Sequence, residues 1–188
     1  LGAITLNNTA GQNVEITESD AITQAAAWST GPLTVDSSGN AITLTQGANT
    51  FGDLTVSGGT VQITENEAIT DVGSWNVGSL TLDPNGNSIT LDANNVLGAI
   101  TLNNTAGQNV EITENDAIDQ AAAWSTGPLT LNSNGNSITL TETTNTFGNL
   151  TVSGGTVQIT ENDAITDGGA WDVGAVTLDP GGNSITLN

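Results

Sequence analysis

Residues 51–66 read FGDLTVSGGTVQITEN, and residues 147–162 read FGNLTVSGGTVQITEN, one substitution apart at a distance of 96 positions. Within each copy an aliphatic residue alternates with a polar one: Leu54, Val56, Val61 and Ile63 occupy every second place on either side of the pair Gly58-Gly59. A period of two puts such residues on one surface and their neighbours on the other, which is the pattern of strands with one buried face, and the glycine pair marks a bend between two of them.

Working outward from this stretch, the rest of the chain proves to be made of its relatives. LGAITLNNTAGQNVEIT at residues 1–17 returns unchanged at 97–113. Each 96-residue unit divides again, because VEITESDAI at Val14 matches VQITENEAI at Val61, and PLTVDSSGNAITL at Pro32 matches SLTLDPNGNSITL at Ser79, a period of about 48. A further halving follows the large apolar residues Leu1, Trp28, Phe51, Trp75, Leu97, Trp124, Phe147 and Trp171, which stand at near-equal intervals, four to each long unit. Each of these eight units holds a strand of the type [LIV]-T-[LV], a turn, a second strand I-T and a returning arc.

Fixed-period self-similarity of this kind is the mark of a stacked array, and stacking pairs each strand in parallel with its own copy. The expected fold is all-β: a parallel β-helix, or β-solenoid, of about eight coils of ~24 residues, a rod on the order of 38 Å long. A coil longer than three hexapeptides favours the right-handed form. Residues 1–188 form one continuous solenoid, with 1–96 as the first long repeat and 97–188 as the second. Neither end carries an atypical capping coil, so the expectation is a window from a longer repeat chain or rods that stack end to end.

Two ladders of outward threonines are expected, one for each strand type. The first holds Thr5, Thr34, Thr55, Thr81, Thr101, Thr130, Thr151 and Thr177, and the second Thr17, Thr43, Thr64, Thr90, Thr113, Thr139, Thr160 and Thr186. Between the strands lie turns such as Asp36-Ser37-Ser38-Gly39-Asn40 and Asp83-Pro84-Asn85-Gly86-Asn87, in which Asp bonds backbone donors ahead of it and Gly or Asn accepts the left-handed conformation. Asn87 and its equivalents suit an asparagine ladder along that corner.

The chain has 20 Asp and Glu and no Lys, Arg, His or Cys, for a formal charge of −20. Without a cationic side chain it has nothing to neutralise phosphates, so nucleic acid is excluded as a partner and anionic membrane surfaces are disfavoured. Without Cys or His there is no disulfide, no thiolate or imidazole metal site and no Ser-His-Asp triad. No apolar run approaches the ~18 residues that span a bilayer, so membrane insertion is not expected. With only 11% charged and 36% hydrophobic residues, the composition is that of strands and turns, not of a disordered acidic tail.

The phrases NAITLTQGANTFGDLTVSGGTVQIT, from Asn40, and NSITLTETTNTFGNLTVSGGTVQIT, from Asn136, resemble the degenerate repeats of very large bacterial exoproteins of the filamentous-haemagglutinin type. The resemblance covers essentially the whole chain and is one of repeat style. It implies a right-handed β-helical shaft in a secreted or surface-attached fibre, with copies of itself and a host-cell or neighbouring-cell surface ligand as partners.

Three features carry potential chemistry. The motif E-[SN]-[DE]-A-I supplies Glu18 and Asp20, Glu65 and Glu67, Glu114 and Asp116, and Glu161 and Asp163, which four-coil units would line up along one edge. Such a row is a candidate for Ca²⁺, a hard cation that takes carboxylate oxygens, and equally a solvated edge whose repulsion keeps rods apart; no other cofactor is expected. Ranks of Thr resemble ice-binding surfaces, but those use T-x-T, which here occurs within the repeated strands only at Thr43-Leu44-Thr45 and Thr139-Leu140-Thr141. Trp28, Trp75, Trp124 and Trp171 alternate with Phe and Leu at one position, so that position wants apolar bulk and packs inside. Catalysis is not expected, because acid–base work needs carboxylates in different environments within one cleft and these repeat almost identically along the rod.

Overall fold

The computed structural model describes residues 2–188; Leu1, the first of the apolar markers, lies outside the described residues. Among the described residues there is no helix, and sixteen strands run from Val14–Thr17 to Ile185–Thr186, every pairing parallel. The chain is a parallel β-solenoid, as its repeats predict.

The coil, however, is shorter than the apolar markers suggest. The register steps from Ile22 to Ile42, Val61, Leu80 and Ile100, then to Gln120, one turn of the solenoid at each step. There are about nine turns of about 19 residues, not eight of ~24, and a 96-residue repeat spans five. The strands that make up the difference are Ile22–Thr23, Ile69–Thr70, Ile118–Asp119 and Ile165–Thr166. Each is two residues long with a single aliphatic side chain, too short to show alternation, yet all four isoleucines are 0–1% exposed.

Each turn of the solenoid has two sheet segments and two connecting sides. One sheet, face one, stacks Ile42–Leu44 on the second half of Leu54–Thr64 and then on Asn76–Asp83. The other, face two, stacks Val14–Thr17, Leu33–Asp36 and the first half of Leu54–Thr64. The long strands Leu54–Thr64 and Leu150–Thr160 pass from face two to face one, bending at Gly58-Gly59 and Gly154-Gly155. Because five turns fill the long repeat, half of that repeat makes two and a half. VEIT at Val14 therefore lies on face two and its counterpart VQIT at Val61 on face one.

Between the faces the inward aliphatics form one continuous core. Leu33 lies over Leu54 and Val35 over Val56, while Leu44, Ile63, Leu82 and Leu102 stack through four successive turns, all of them 0–4% exposed. Each buried side chain of this size contributes ~1.5–3 kcal/mol. The second repeat joins the first two residues out of step, since five turns carry Ile22 to Gln120 and not to Ile118. A slip of two preserves which side chains point inward.

The turns use the predicted chemistry. Ser38 and Gly39, Asn85 and Gly86, and Asn134 and Gly135 all have positive φ, and the Asp36 and Asp83 carboxylates accept from Ser38 N and Asn85 N at 2.7 and 2.9 Å. The asparagine ladder does not form. These turns recur once in each half of the long repeat, two and a half coils apart, and so alternate between the two sides. Asn40, Asn87, Asn136 and Asn183 donate to their own turns, at Ser37 O, Pro84 O, Ser133 O and Pro180 O, and Asn40, Asn136 and Asn183 donate also to Ser19 O, Asn115 O and Asn162 O of the adjoining coil.

At the corners the turns are held close by glycine on glycine. Gly52 N donates to Gly31 O at 2.9 Å and Gly31 N to Gln12 O at 2.8 Å, and a methyl group on Gly52 would lie 2.7 Å from the Gly31 carbonyl carbon. The stack Gly107, Gly127, Gly148 repeats this arrangement in the second long repeat.

Candidate functional site

The acidic motif divides at its turn. Glu65 continues the alternation of Val61 and Ile63, and Glu114 and Glu161 do the same after Ile112 and Ile159, so these three glutamates point inward and are 0% exposed. Glu18 is half-buried, the second acids Asp20, Glu67 and Asp163 are exposed, and Asp116 is half-buried. The four pairs do not share an edge: Glu18 and Glu114 follow face-two strands, whereas Glu65 and Glu161 follow face-one strands. Two and a half turns between copies, in place of a whole number, is the reason. Among the described residues no three carboxylates converge on one point.

The inward glutamates complete a set of buried corner contacts. Phe51 N donates to Glu65 Oε1 at 2.8 Å, Leu97 N to Glu114 Oε2 at 3.2 Å and Phe147 N to Glu161 Oε1 at 2.7 Å. Three of the tryptophan markers are served by asparagines: Trp28 N donates to Asn49 Oδ1 at 2.9 Å, Trp75 N to Asn95 Oδ1 at 2.7 Å and Trp124 N to Asn145 Oδ1 at 2.8 Å. A bulky apolar residue turned into the core brings its own N–H into an apolar corner, and a buried N–H needs an acceptor. The indoles are satisfied as well, Trp75 Nε1 donating to Leu54 O at 3.0 Å and Trp124 Nε1 to Ile100 O at 3.2 Å. As predicted, Trp28, Trp75 and Trp124 are core residues, 0–1% exposed, and Trp171 is half-buried.

The two kinds of acceptor differ in how fully they are used. Asn49 spends its amide on Gln24 Oε1, Leu44 O and Thr64 O, and Asn95 bonds Asp71 Oδ2, Ala93 O and Thr113 O, so these side chains are saturated. Burial raises the Asp71 carboxyl, and its bonds from Asn95, Asp92 N and Ala93 N oppose this. The glutamates keep one oxygen each without a partner: Glu65 Oε2, Glu114 Oε1 and Glu161 Oε2. Burial pushes the carboxyls of Glu65, Glu114 and Glu161 up to about 8, about 9 and about 7 respectively. Glu67, Asp116 and Asp163 add like-charge repulsion, and the marker N–H groups act against the rise. Beside Glu114, Asp116 likewise leaves a buried oxygen, Oδ1, without a partner, and its proximity adds to the rise at Glu114.

The threonines form central columns on both faces, but each column mixes the two predicted ladders. On face one Thr23, Thr43, Gln62, Thr81 and Thr101 follow one another, and later Asp119, Thr139, Gln158 and Thr177. On face two Glu15, Thr34 and Thr55 stack, then Thr70, Thr90, Glu111, Thr130 and Thr151. Thr17, Thr64 and Thr160 end their strands and Thr113 is one residue from the end of its own, beside Asp36, Asp83, Asp179 and Asn132 respectively, Thr186 pairs with Thr166, and Thr5 precedes the first strand. The uninterrupted ladders are thus broken by Gln62, Asp119, Gln158, Glu15 and Glu111, because the unit set by the apolar markers is not one coil. A shallow groove lined by Thr90, Glu111 and Thr130 crosses face two and holds one titratable group.

The buried asparagines and the inward direction of the glutamates were absent from the sequence reading, although both leave a trace there. Asn49, Asn95 and Asn145 each stand two residues before a Phe or Leu marker, and the glutamates fall on the inward parity of V-x-I-x-E.

No curated protein and no solved structure matches the chain, and no comparison ties it to exoproteins of the filamentous-haemagglutinin type. One family model matches it four times in overlapping spans, at residues 1–57, 47–103, 96–153 and 146–188, which follow the shorter sequence period of two and a half turns. With corners, faces and family match all keeping that period along the whole chain, it belongs to the family described as "Repeats of unknown function (DUF5649)".

Proposed function

We propose that this chain is a structural shaft: the repeat segment of an extracellular bacterial filament or adhesin, whose work is length, stiffness and display. The observation that carries the reading is the all-parallel stack of coils with its single continuous core, in which a 96-residue unit is followed by a near copy. In such an array each turn is stabilised by its neighbours, and further copies lengthen the rod without new design.

The charge fits exposure to solvent along the whole length. With 20 carboxyl side chains and no cation, rods repel one another at neutral pH, and there is no trypsin site to cut. The partners of this reading are copies of the chain end to end or side by side and a surface ligand of a host or neighbouring cell, with no nucleic acid and no membrane insertion. It assigns no catalytic step and no cofactor.

The test is electron microscopy of native material with and without a calcium chelator. Five turns at ~4.8 Å predict an axial repeat of about 24 Å for each 96-residue unit. Filaments with that repeat support the shaft, and loss of order on chelation makes it a calcium-stiffened one. Discrete capped particles without it would sink the proposal.

A further inference from the structure

Glu65, Glu114 and Glu161 recur at one structural position, are fully buried, and each leaves an oxygen with no partner. A carboxylate in that setting would be a charge with a single backbone N–H to balance it, whereas a carboxylic acid is nearly at home. Nothing on the neighbouring elements supplies a counter-charge. Glu65 faces Glu67 on its own turn, Glu114 faces Asp116 and Asp119 and lies in register with Asn95, which holds Asp71, and Glu161 faces Asp163, while the adjoining strands meet Glu65 and Glu161 through the backbone carbonyls of Asp83 and Asp179. The whole sequence contains no Lys, Arg or His that could do so.

We propose that these three corner glutamates are a built-in proton lock: held as carboxylic acids, they keep the turns of the solenoid closed in acidic surroundings, and their successive ionisation as the medium passes from neutral to alkaline opens the corners beneath Phe51, Leu97 and Phe147.

The direction follows from linkage. In the unfolded chain these acids lose their protons near the ordinary value of 4.5, while in the folded chain they keep them until about 7 to 9. The native state therefore binds more protons across that window, and stability is complete below the unfolded value, falls as pH rises through it, and levels off above about 9.

The experiment uses the full chain. Glutamate side chains labelled with ¹³C at the carboxyl carbon are followed by NMR from pH 5 to pH 10, and Tm is measured over the same range for the wild type and for E65Q/E114Q/E161Q. In Gln the carbonyl oxygen still accepts the marker N–H, and no proton can be lost. Three glutamate carboxyl carbons still protonated at pH 6, a wild-type Tm that drops by roughly 10 °C or more between pH 5 and pH 9.5, and a flat profile in the triple variant support the lock. Eight carboxyls all ionised at pH 6, or a wild-type profile as flat as that of the variant, overturn it. The NMR titration needs no mutant, so a variant that fails to fold leaves the proposal open to refutation.

Discussion

Replacing Gly52 by Ala tests how closely the turns must approach. Gly52 has an ordinary φ, so the substitution costs nothing in backbone conformation, and its whole effect lies in the added methyl. That methyl would sit 2.7 Å from Gly31 C, 2.9 Å from Pro32 N and 3.0 Å from Gly31 O, all backbone atoms that cannot rotate aside. The turns must therefore separate locally, stretching the Gly52 N to Gly31 O bond of 2.9 Å and straining its neighbour from Gly31 N to Gln12 O. Overpacking at ~1–3 kcal/mol and a weakened ladder bond at ~1 kcal/mol together give about 2–4 kcal/mol. The matched control is Gly47→Ala, where nothing lies within 4 Å and φ is not positive; it should be neutral or stabilise by ~0.4–1 kcal/mol. Urea titration followed by the fluorescence of the buried Trp28, Trp75 and Trp124 reports both midpoint and slope, and the slope shows whether the array still unfolds as one unit. If Gly52→Ala melts with Gly47→Ala, the glycine stack does not set the spacing of the turns and the account of the corners fails.

Asn49→Ala removes the acceptor of Trp28 N and the partner of Gln24 together, so thermal unfolding should show a loss of about 3 kcal/mol or more; Asn49→Asp should not restore it, because the donors to Leu44 O and Thr64 O are gone. Since no three carboxylates converge among the described residues, millimolar calcium or a chelator should move Tm by less than about 1 °C, and a larger rise with calcium would identify a cation site.

The fold class was legible because alternation survives in every long strand: Leu33 and Val35, or Leu80 and Leu82, announce an inward face wherever Thr separates them. The coil length was not. Ile22, Ile69, Ile118 and Ile165 each anchor a strand with one side chain, and one side chain has no period, so these segments read as arcs and conceal the fifth turn of each long repeat. The corner chemistry was half-legible. A Glu after V-x-I-x stands on the buried parity, but carboxylates are so rarely buried without a partner that the motif reads as a surface feature. The asparagines escaped for a different reason, since Asn49 acts on Trp28 from one turn away, a relation that appears only once the length of the turn is known.

The half-integral pitch of the family repeat gives copy number a parity. Inserting one such repeat into the rod would rotate everything beyond it by half a turn, exchanging the face that carries Glu15 and Glu111 with the one that carries Gln62 and Asp119. Inserting two restores the original orientation. A rod of this kind can therefore grow freely by pairs of repeats, whereas odd steps invert whatever stands at its tip.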